Sequence, residues 1–82
     1  MKYKAEVTVM LKEGIADPQG QTIERALPAL GFDGVSGVRV GKKIELEVTS
    51  ADRDSANREV REMCERLLAN TVIESYEVDL HE

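Results

Sequence analysis

The side chains that most often carry chemistry are scarce in this chain, which has one cysteine and one histidine in 82 residues. Cys64 lies on an apolar helical stripe, where a free cysteine usually behaves as a small hydrophobic group. A nucleophilic cysteine would need an activating base, and His81 stands second from the C-terminus, where chains tend to fray. A metal site on His81 would need Asp79 and Glu82 to be held still. We therefore predict no catalytic residue and no metal site.

The other polar residues form no pattern typical of catalysis or cofactor binding. Most carboxylates fall on helix exteriors or polar strand faces, and none stands out as half of an acid–base pair. The sequence contains no phosphate-binding loop, dinucleotide fingerprint or nucleophile elbow. We therefore expect no cofactor to be bound by this chain.

Charge and composition narrow the class of partner. The net charge is −5, with seven basic and five acidic side chains in residues 1–43 and four basic and eleven acidic in residues 44–82. Nucleic acids and anionic membranes attract cationic surfaces, so we expect contact with neither. A single cysteine and the absence of an export signal are typical of a cytoplasmic protein. Composition gives no further information about the function, which has to come from the motifs.

The length of the chain predicts one domain, residues 1–82. Aromatic residues make up only 4% of it, so the core is thin, and small domains of this kind often need a disulfide, a metal or a partner chain. One cysteine cannot form an internal disulfide, and no cluster of cysteine and histidine is available for a structural zinc ion. We therefore expect the chain to self-associate into an oligomer.

Two elements have clear patterns in the first part of the chain. Apolar and polar residues alternate over residues 3–11, which predicts a half-buried strand. Asp17-Pro18 is typical of a helix start, and an apolar stripe with helical spacing runs over residues 23–30 up to Gly31. Because Pro28 lies inside this stripe, we expect an irregular last turn.

Residues 35–48 predict a second β region, interrupted by Gly41-Lys42-Lys43. A three-residue hairpin loop would pair Val40 with Ile44 and keep the apolar residues on one face. One long bent strand would also keep them together but would place Lys42 on the apolar side. We favour the hairpin.

The second half of the chain predicts one helix and one strand. Ser50 or Asp52 can cap the helix, and Asn70 can end it in a left-handed conformation. The apolar stripe of the helix is Ala56, Val60, Met63, Cys64 and Leu67. The apolar face of the strand is Val72, Tyr76, Val78 and Leu80.

These elements predict an α+β fold with the order βαββαβ. Amphipathic helices and half-polar strands favour a ferredoxin-like antiparallel sheet with two helices on one face. The other sheet face would then be bare, so we expect the chain to dimerise through the sheet.

Five segments together resemble one family. They are KAEVTV at residues 4–9, DPQG at 17–20, LGF at 30–32, VRVGK at 38–42 and LLAN at 67–70. In this order and spacing they are similar to PurS, the small subunit of phosphoribosylformylglycinamidine synthase in bacteria and archaea, from about Tyr3 to Val78. The chain departs from the family pattern at Pro28 and at Thr71, where proline is common, which affects local backbone shape.

The resemblance implies a non-catalytic subunit of an enzyme of de novo purine synthesis. Such subunits form homodimers, and further assembly into a tetramer is the alternative. The complex uses ATP, Mg²⁺ and glutamine, and this subunit is expected to bridge a PurL-type synthetase and a PurQ-type glutaminase and to support ammonia transfer. The main alternative is a small-molecule-binding regulatory domain of similar βαββαβ fold.

Two unusual segments and one asparagine are our candidates for contact with these partners. A glycine in the first turn of a helix suggests close backbone approach, and a basic hairpin tip is a natural docking loop. The predicted interface residues are Asp17, Gln19, Gly20, Arg39, Gly41, Lys42 and Asn70.

Overall fold

The computed structural model describes the whole chain, residues 1–82, as three strands and two helices. The strands are β1 (Lys2–Leu11), β2 (Gly41–Thr49) and β3 (Glu74–His81). The helices are α1 (Pro18–Ala26) and α2 (Arg53–Met63), each followed by an irregular turn. The sheet is antiparallel with the order β2-β1-β3. The predicted α+β class and ferredoxin-like arrangement are confirmed, with one strand fewer than expected.

The alternating pattern of β1 places its apolar residues on the face that α2 covers. Tyr3, Ala5, Val7 and Val9 are all buried. Val7 stands opposite Ile44 on β2 and Val78 on β3, so both neighbouring strands add apolar residues to the same layer. This layer and the inner face of α2 form the core.

Helix α2 packs on all three strands. Its N-cap is Asp52, one of the two residues predicted for this position. The Asp52 carboxylate accepts a hydrogen bond from the Ser55 N–H at 2.8 Å. From the predicted stripe, Ala56, Val60 and Cys64 are fully buried.

The end of the α2 stripe differs from the prediction. Residues Cys64–Leu68 form a single π turn, and a π turn holds one more residue than an α turn. The apolar stripe therefore shifts by one position. Leu68 packs against the core, whereas the predicted Leu67 is 82% exposed.

Two predictions about the end of the chain are wrong for related reasons. Asn70 does not adopt a left-handed conformation, since no residue other than glycine has a positive φ. Its Oδ1 instead accepts from the Val72 N–H at 3.3 Å, within a turn over residues 71–73. Val72 therefore lies before β3 and is exposed rather than part of the strand face.

The predicted start and end of α1 are confirmed. Asp17 caps the helix and Pro18 is its first residue. Leu27–Leu30 form a tighter 3₁₀ turn around Pro28, which is the irregular last turn expected from a proline that cannot donate to the helix. Gly31, at φ 96°, ends it in the left-handed region, which glycine adopts at little cost.

The predicted hairpin over residues 35–48 is wrong. Residues 38–40 form no strand, and β2 begins at Gly41, directly opposite Met10 on β1. The backbone N–H of Val38 donates to Glu24 Oε1 at 2.9 Å, and that of Val40 donates to Asp17 Oδ2 at 2.8 Å. The side chains of Glu24 and Asp17 therefore accept the backbone hydrogen bonds that a neighbouring strand would accept in a hairpin.

The molecule is elongated, and an exposed apolar stripe, here called the α1 stripe, runs along α1 and the segment after it (Ile23, Leu30, Phe32 and Val35). The radius of gyration is 16.4 Å, whereas a compact domain of this length has about 12 Å. Helix α1 makes its main contact with the turn that follows it rather than with the sheet. Its stripe is correspondingly open, with Leu30 70% exposed and Phe32 57% exposed. Only α2 spans the sheet face.

The other face of the sheet is charged rather than apolar. Along β1 it carries Lys2, Lys4 and Glu6, and ion pairs join Lys2 to Glu47 and Lys43 to Glu6. A dimer through the sheet was expected because the face without helices would otherwise be bare. The sheet-mediated dimer stays a prediction.

Neither helix reaches the length and apolar content that a membrane-spanning segment requires.

Candidate functional site: a groove at the end of the sheet

An open groove of about 450 Å³ lies where the start of α1 meets the ends of β1 and β2. Four of the seven predicted interface residues line it: Asp17, Gln19, Gly41 and Lys42. Segments far apart in the sequence therefore meet at one place, as the docking hypothesis requires. The floor is apolar and includes Val9 and Leu11.

Asp17 holds this region together with both of its carboxylate oxygens. Oδ1 accepts from the Gly20 N–H at 2.9 Å and so caps α1, while Oδ2 accepts from the Val40 N–H at 2.8 Å. These two backbone hydrogen bonds, with that to Gly20 the stronger cause, hold the pKa of Asp17 below its usual range. Asp17 is therefore ionised at neutral pH, and its charge opposes anion binding at this helix start.

Gly20 is buried because the chain itself passes close to it. A Cβ at this position would collide with the carbonyl oxygen of Val38 and with the Asp17 carboxylate. The close backbone approach predicted from a glycine in the first helical turn is thus made within the chain. Gly20 does not line the groove, and its contact with a partner stays a prediction.

Gly41 and Lys42 form the rim on the β2 side. A Cβ at Gly41 would run into Met10 and the carbonyl oxygen of Val9, so glycine lets β2 begin tightly against β1. Lys42 stands opposite Val9 in the strand register and is exposed. Its ammonium group forms no ion pair within the chain, so it can pair with a carboxylate of another molecule.

Arg39 and Asn70 lie outside the groove. Arg39 borders a neighbouring hollow with the loop that follows β1, and its guanidinium donates to the Leu11 carbonyl oxygen. Asn70 lies in the turn before β3. The residue that brings this turn to the groove is Glu74, which lines it and whose Oε1 accepts from the Asn70 N–H at 2.7 Å.

Glu74 is the groove residue that sequence reasoning missed. It is the first residue of β3 and stands opposite Leu11. A charged residue at the start of a strand is a weak signal by itself, and only the β1–β3 register brings Glu74 to the end of the sheet where the groove lies.

The sheet separates the two residues considered for nucleophilic chemistry. Cys64 is buried under the apolar face, and burial raises the pKa of its thiol. His81 projects from the opposite, charged face, in register with Lys4. Since the thiol stays protonated at neutral pH and has no base beside it, this arrangement does not make a nucleophile.

A ferredoxin-like domain with a mixed polar and apolar groove beside an uncovered helical stripe is typical of a small protein-binding module. The PurS family model, for phosphoribosylformylglycinamidine (FGAM) synthase, matches residues 4–82. The PurS subunit of Bacillus subtilis (strain 168) is 48% identical over 80 residues, which cover 98% of this chain and 94% of that one. The chain belongs to the PurS family of FGAM synthase.

Solved structures extend the similarity to three dimensions. The crystal structure of Methanocaldococcus jannaschii PurS has a TM-score of 0.86 at 42% identity and covers 98% of this chain and 96% of that one. It is one of the subunits of formylglycinamide ribonucleotide amidotransferase in the purine biosynthetic pathway. The PurLQS structure from Thermotoga maritima contains a similar chain, with a TM-score of 0.90, 38% identity and 98% coverage of both chains.

Proposed function

We propose that this chain is a non-catalytic subunit of FGAM synthase that bridges a PurL-type synthetase and a PurQ-type glutaminase. The observation that carries this proposal is the match, over 98% of both chains, to a chain of the Thermotoga maritima PurLQS structure. In this role the subunit supports the transfer of ammonia from glutamine within a cytoplasmic complex that uses ATP and Mg²⁺. It binds none of these reactants itself.

A bridging subunit would keep ammonia from being lost to water between the two active sites. Ammonia released into water is diluted and largely protonated, and the ammonium ion is not a nucleophile. Holding two active sites in fixed register turns a bimolecular step into an effectively intramolecular one. A small domain can do this without catalytic residues of its own.

The groove at the end of the sheet is the surface that we assign to one of these partners. Lys42 on its rim has no ion pair within the chain, and Glu74 and Gln19 supply polar groups of other kinds. An apolar floor at Val9 and Leu11 with a charged rim is the usual anatomy of an interface.

Reversal of the charge at Lys42 tests this assignment. We expect Lys42→Glu to weaken binding to the synthetase or the glutaminase by at least about tenfold, because a truncated or reversed interface charge leaves its partner unpaired. Titration calorimetry with each partner measures this effect.

Lys2→Glu is the matched control, since Lys2 is also an exposed strand lysine but lies at the far end of β1 from the groove. Its variant should bind as the unmodified chain does. Equal affinities of all three proteins for both partners would reject the groove as a docking surface. They would leave the family role to be tested by coupled turnover.

The uncovered stripe of α1 supports self-association as a homodimer. Ile23, Leu30, Phe32 and Val35 are exposed along α1 and the segment after it. On the sheet face that α2 covers, Ile44 and Leu46 are only partly buried. The apolar stripe of one copy and this half-open sheet face of another have matching chemistry, so we assign the stripe to a second copy of the chain.

A further inference from the structure

The charged face of the sheet brings together three residues that can bind a metal ion. Glu6 lies on the central strand, directly opposite Asp79 on β3, and His81 follows Asp79 by two positions. Residues two apart on a strand share a face, so all three side chains project from the same surface. Their ligand atoms lie within 4.8 Å of one another.

The distances within this cluster suit a tetrahedral ion. His81 Nε2 lies 3.3 Å from Glu6 Oε1 and 3.2 Å from Asp79 Oδ2. Zinc bonds to nitrogen and oxygen of about 2.0–2.1 Å in a tetrahedron place the ligand atoms roughly 3.3–3.4 Å apart. Two of the three distances between ligand atoms, those from His81 to Glu6 and to Asp79, therefore already match this geometry.

The surroundings of Glu6 prepare it as a ligand. Its Oε2 is paired with Lys43 Nζ at 2.5 Å, while Oε1 faces His81. The hydrogen bond from Lys43 lowers the pKa of Glu6, so the carboxylate is ionised at neutral pH. Its side chain is 24% exposed, which restricts its motion. A partner that orients a ligand from behind is characteristic of protein metal sites.

The donor set favours a particular class of ion. One imidazole nitrogen and two carboxylate oxygens suit Zn²⁺ and similar divalent transition metals, whereas Mg²⁺ prefers six oxygen ligands and keeps several waters. The two carboxylates carry a charge of −2, of which the Lys43 ammonium paired with Glu6 offsets one unit, so the pair of carboxylates remains net negative toward a divalent ion.

We propose that Glu6, Asp79 and His81 form a binding site for Zn²⁺ or a similar divalent transition metal ion, with water completing its coordination. The site lies on the face of the sheet opposite Cys64 and α2, and its ligands are not residues of the groove. Metal binding there joins β1 to the edge strand β3.

Titration of the untagged chain with Zn²⁺ at about pH 7.5, where free imidazole is neutral, tests the proposal. His81 is the only histidine, so its ring signals in an NMR spectrum report on this site alone. We expect a saturable shift of these signals and one Zn²⁺ per chain by calorimetry. We expect no such shift with Mg²⁺.

Variants distinguish a built site from general attraction to an acidic protein. His81→Ala, Glu6→Gln and Asp79→Asn should each weaken Zn²⁺ binding by at least about tenfold. Glu77→Gln is the matched control, because Glu77 lies on the same strand and face, opposite Thr8, and loses the same charge. Circular dichroism checks that each variant is folded.

Two results would overturn the proposal. One is His81 ring signals that do not respond to Zn²⁺. The other is an affinity that Glu77→Gln reduces as much as Glu6→Gln and Asp79→Asn do, since this would indicate binding by net charge alone.

Discussion

Asp17 joins two distant segments of the chain through a single carboxylate. One oxygen caps α1 and the other holds Val40 just before β2 begins. The cap could be predicted from the sequence, because an N-cap bonds within three residues of itself. The bond to Val40 spans 23 positions, and no local pattern carries that information.

Removal of this carboxylate should release the segment before β2. In Asp17→Ala, we expect the Val40 amide to exchange its hydrogen faster, on the order of tenfold, because its only acceptor is gone. Hydrogen exchange followed by NMR measures this rate. Asp33→Ala, which removes a carboxylate from an exposed position, should leave it unchanged. Unaltered Val40 protection in Asp17→Ala would contradict the assigned role.

The same contact predicts a pH dependence. Because the folded-state pKa of Asp17 is lowered, its contribution to stability is fully present above the unfolded pKa of about 3.9 and is lost as the pH falls through the folded value. The Val40 amide shift should therefore titrate with a midpoint below about 3.9. A midpoint at or above that value would show that Asp17 is not held by these bonds.

At the scale of elements, the sequence predicted regular segments well and irregular ones poorly. The alternation of β1 and the stripe of α2 repeat over several turns or pairs, so their periods are unambiguous. The π turn at Cys64–Leu68 adds one residue without any glycine or proline to mark it. Val38 and Val40 were predicted to pair in a hairpin, but their N–H groups donate to the side chains of Glu24 and Asp17 instead.

The π turn can be tested by two neighbouring leucines. Leu68→Ala should lower the free energy of unfolding by roughly 2 kcal/mol, the lower end for leucine truncations in cores, because Leu68 is only partly buried there. Leu67→Ala should change it by less than about 0.5 kcal/mol, since this side chain is exposed. Denaturant unfolding compares them. The reverse order would mean that the helix continues in α geometry to Leu67.

At the scale of the whole molecule, the shape is elongated and the α1 stripe is open for the same reason, because α1 does not pack on the sheet. Sequence reasoning anticipated self-association from a thin core. It placed the contact on the sheet because it expected both helices to cover one face and leave the other bare, and this sheet-mediated dimer stays a prediction. The long-range position of α1 depends on Asp17, Glu24 and the start of β2, and periodicity within α1 does not encode it.

A charged residue in the α1 stripe should separate the copies. The unmodified chain should have a mass of at least twice 9.1 kDa in solution, and Leu30→Glu should reduce it toward 9.1 kDa because a buried unpaired charge is costly. Light scattering after size-exclusion chromatography gives both masses. Leu67→Glu places the same charge on an exposed position of the other helix and should have no effect. A monomeric unmodified chain would contradict the assignment of the stripe to a second copy.

The central claim is that this chain couples a glutaminase to a synthetase. The most direct test is the rate of formylglycinamidine ribonucleotide formation by the two partner subunits, with and without this chain, using glutamine or ammonium chloride as the nitrogen source. We predict that glutamine-driven turnover depends on the chain and that ammonia-driven turnover largely does not. Unchanged rates with both nitrogen sources, and no complex between the three proteins, would contradict the account.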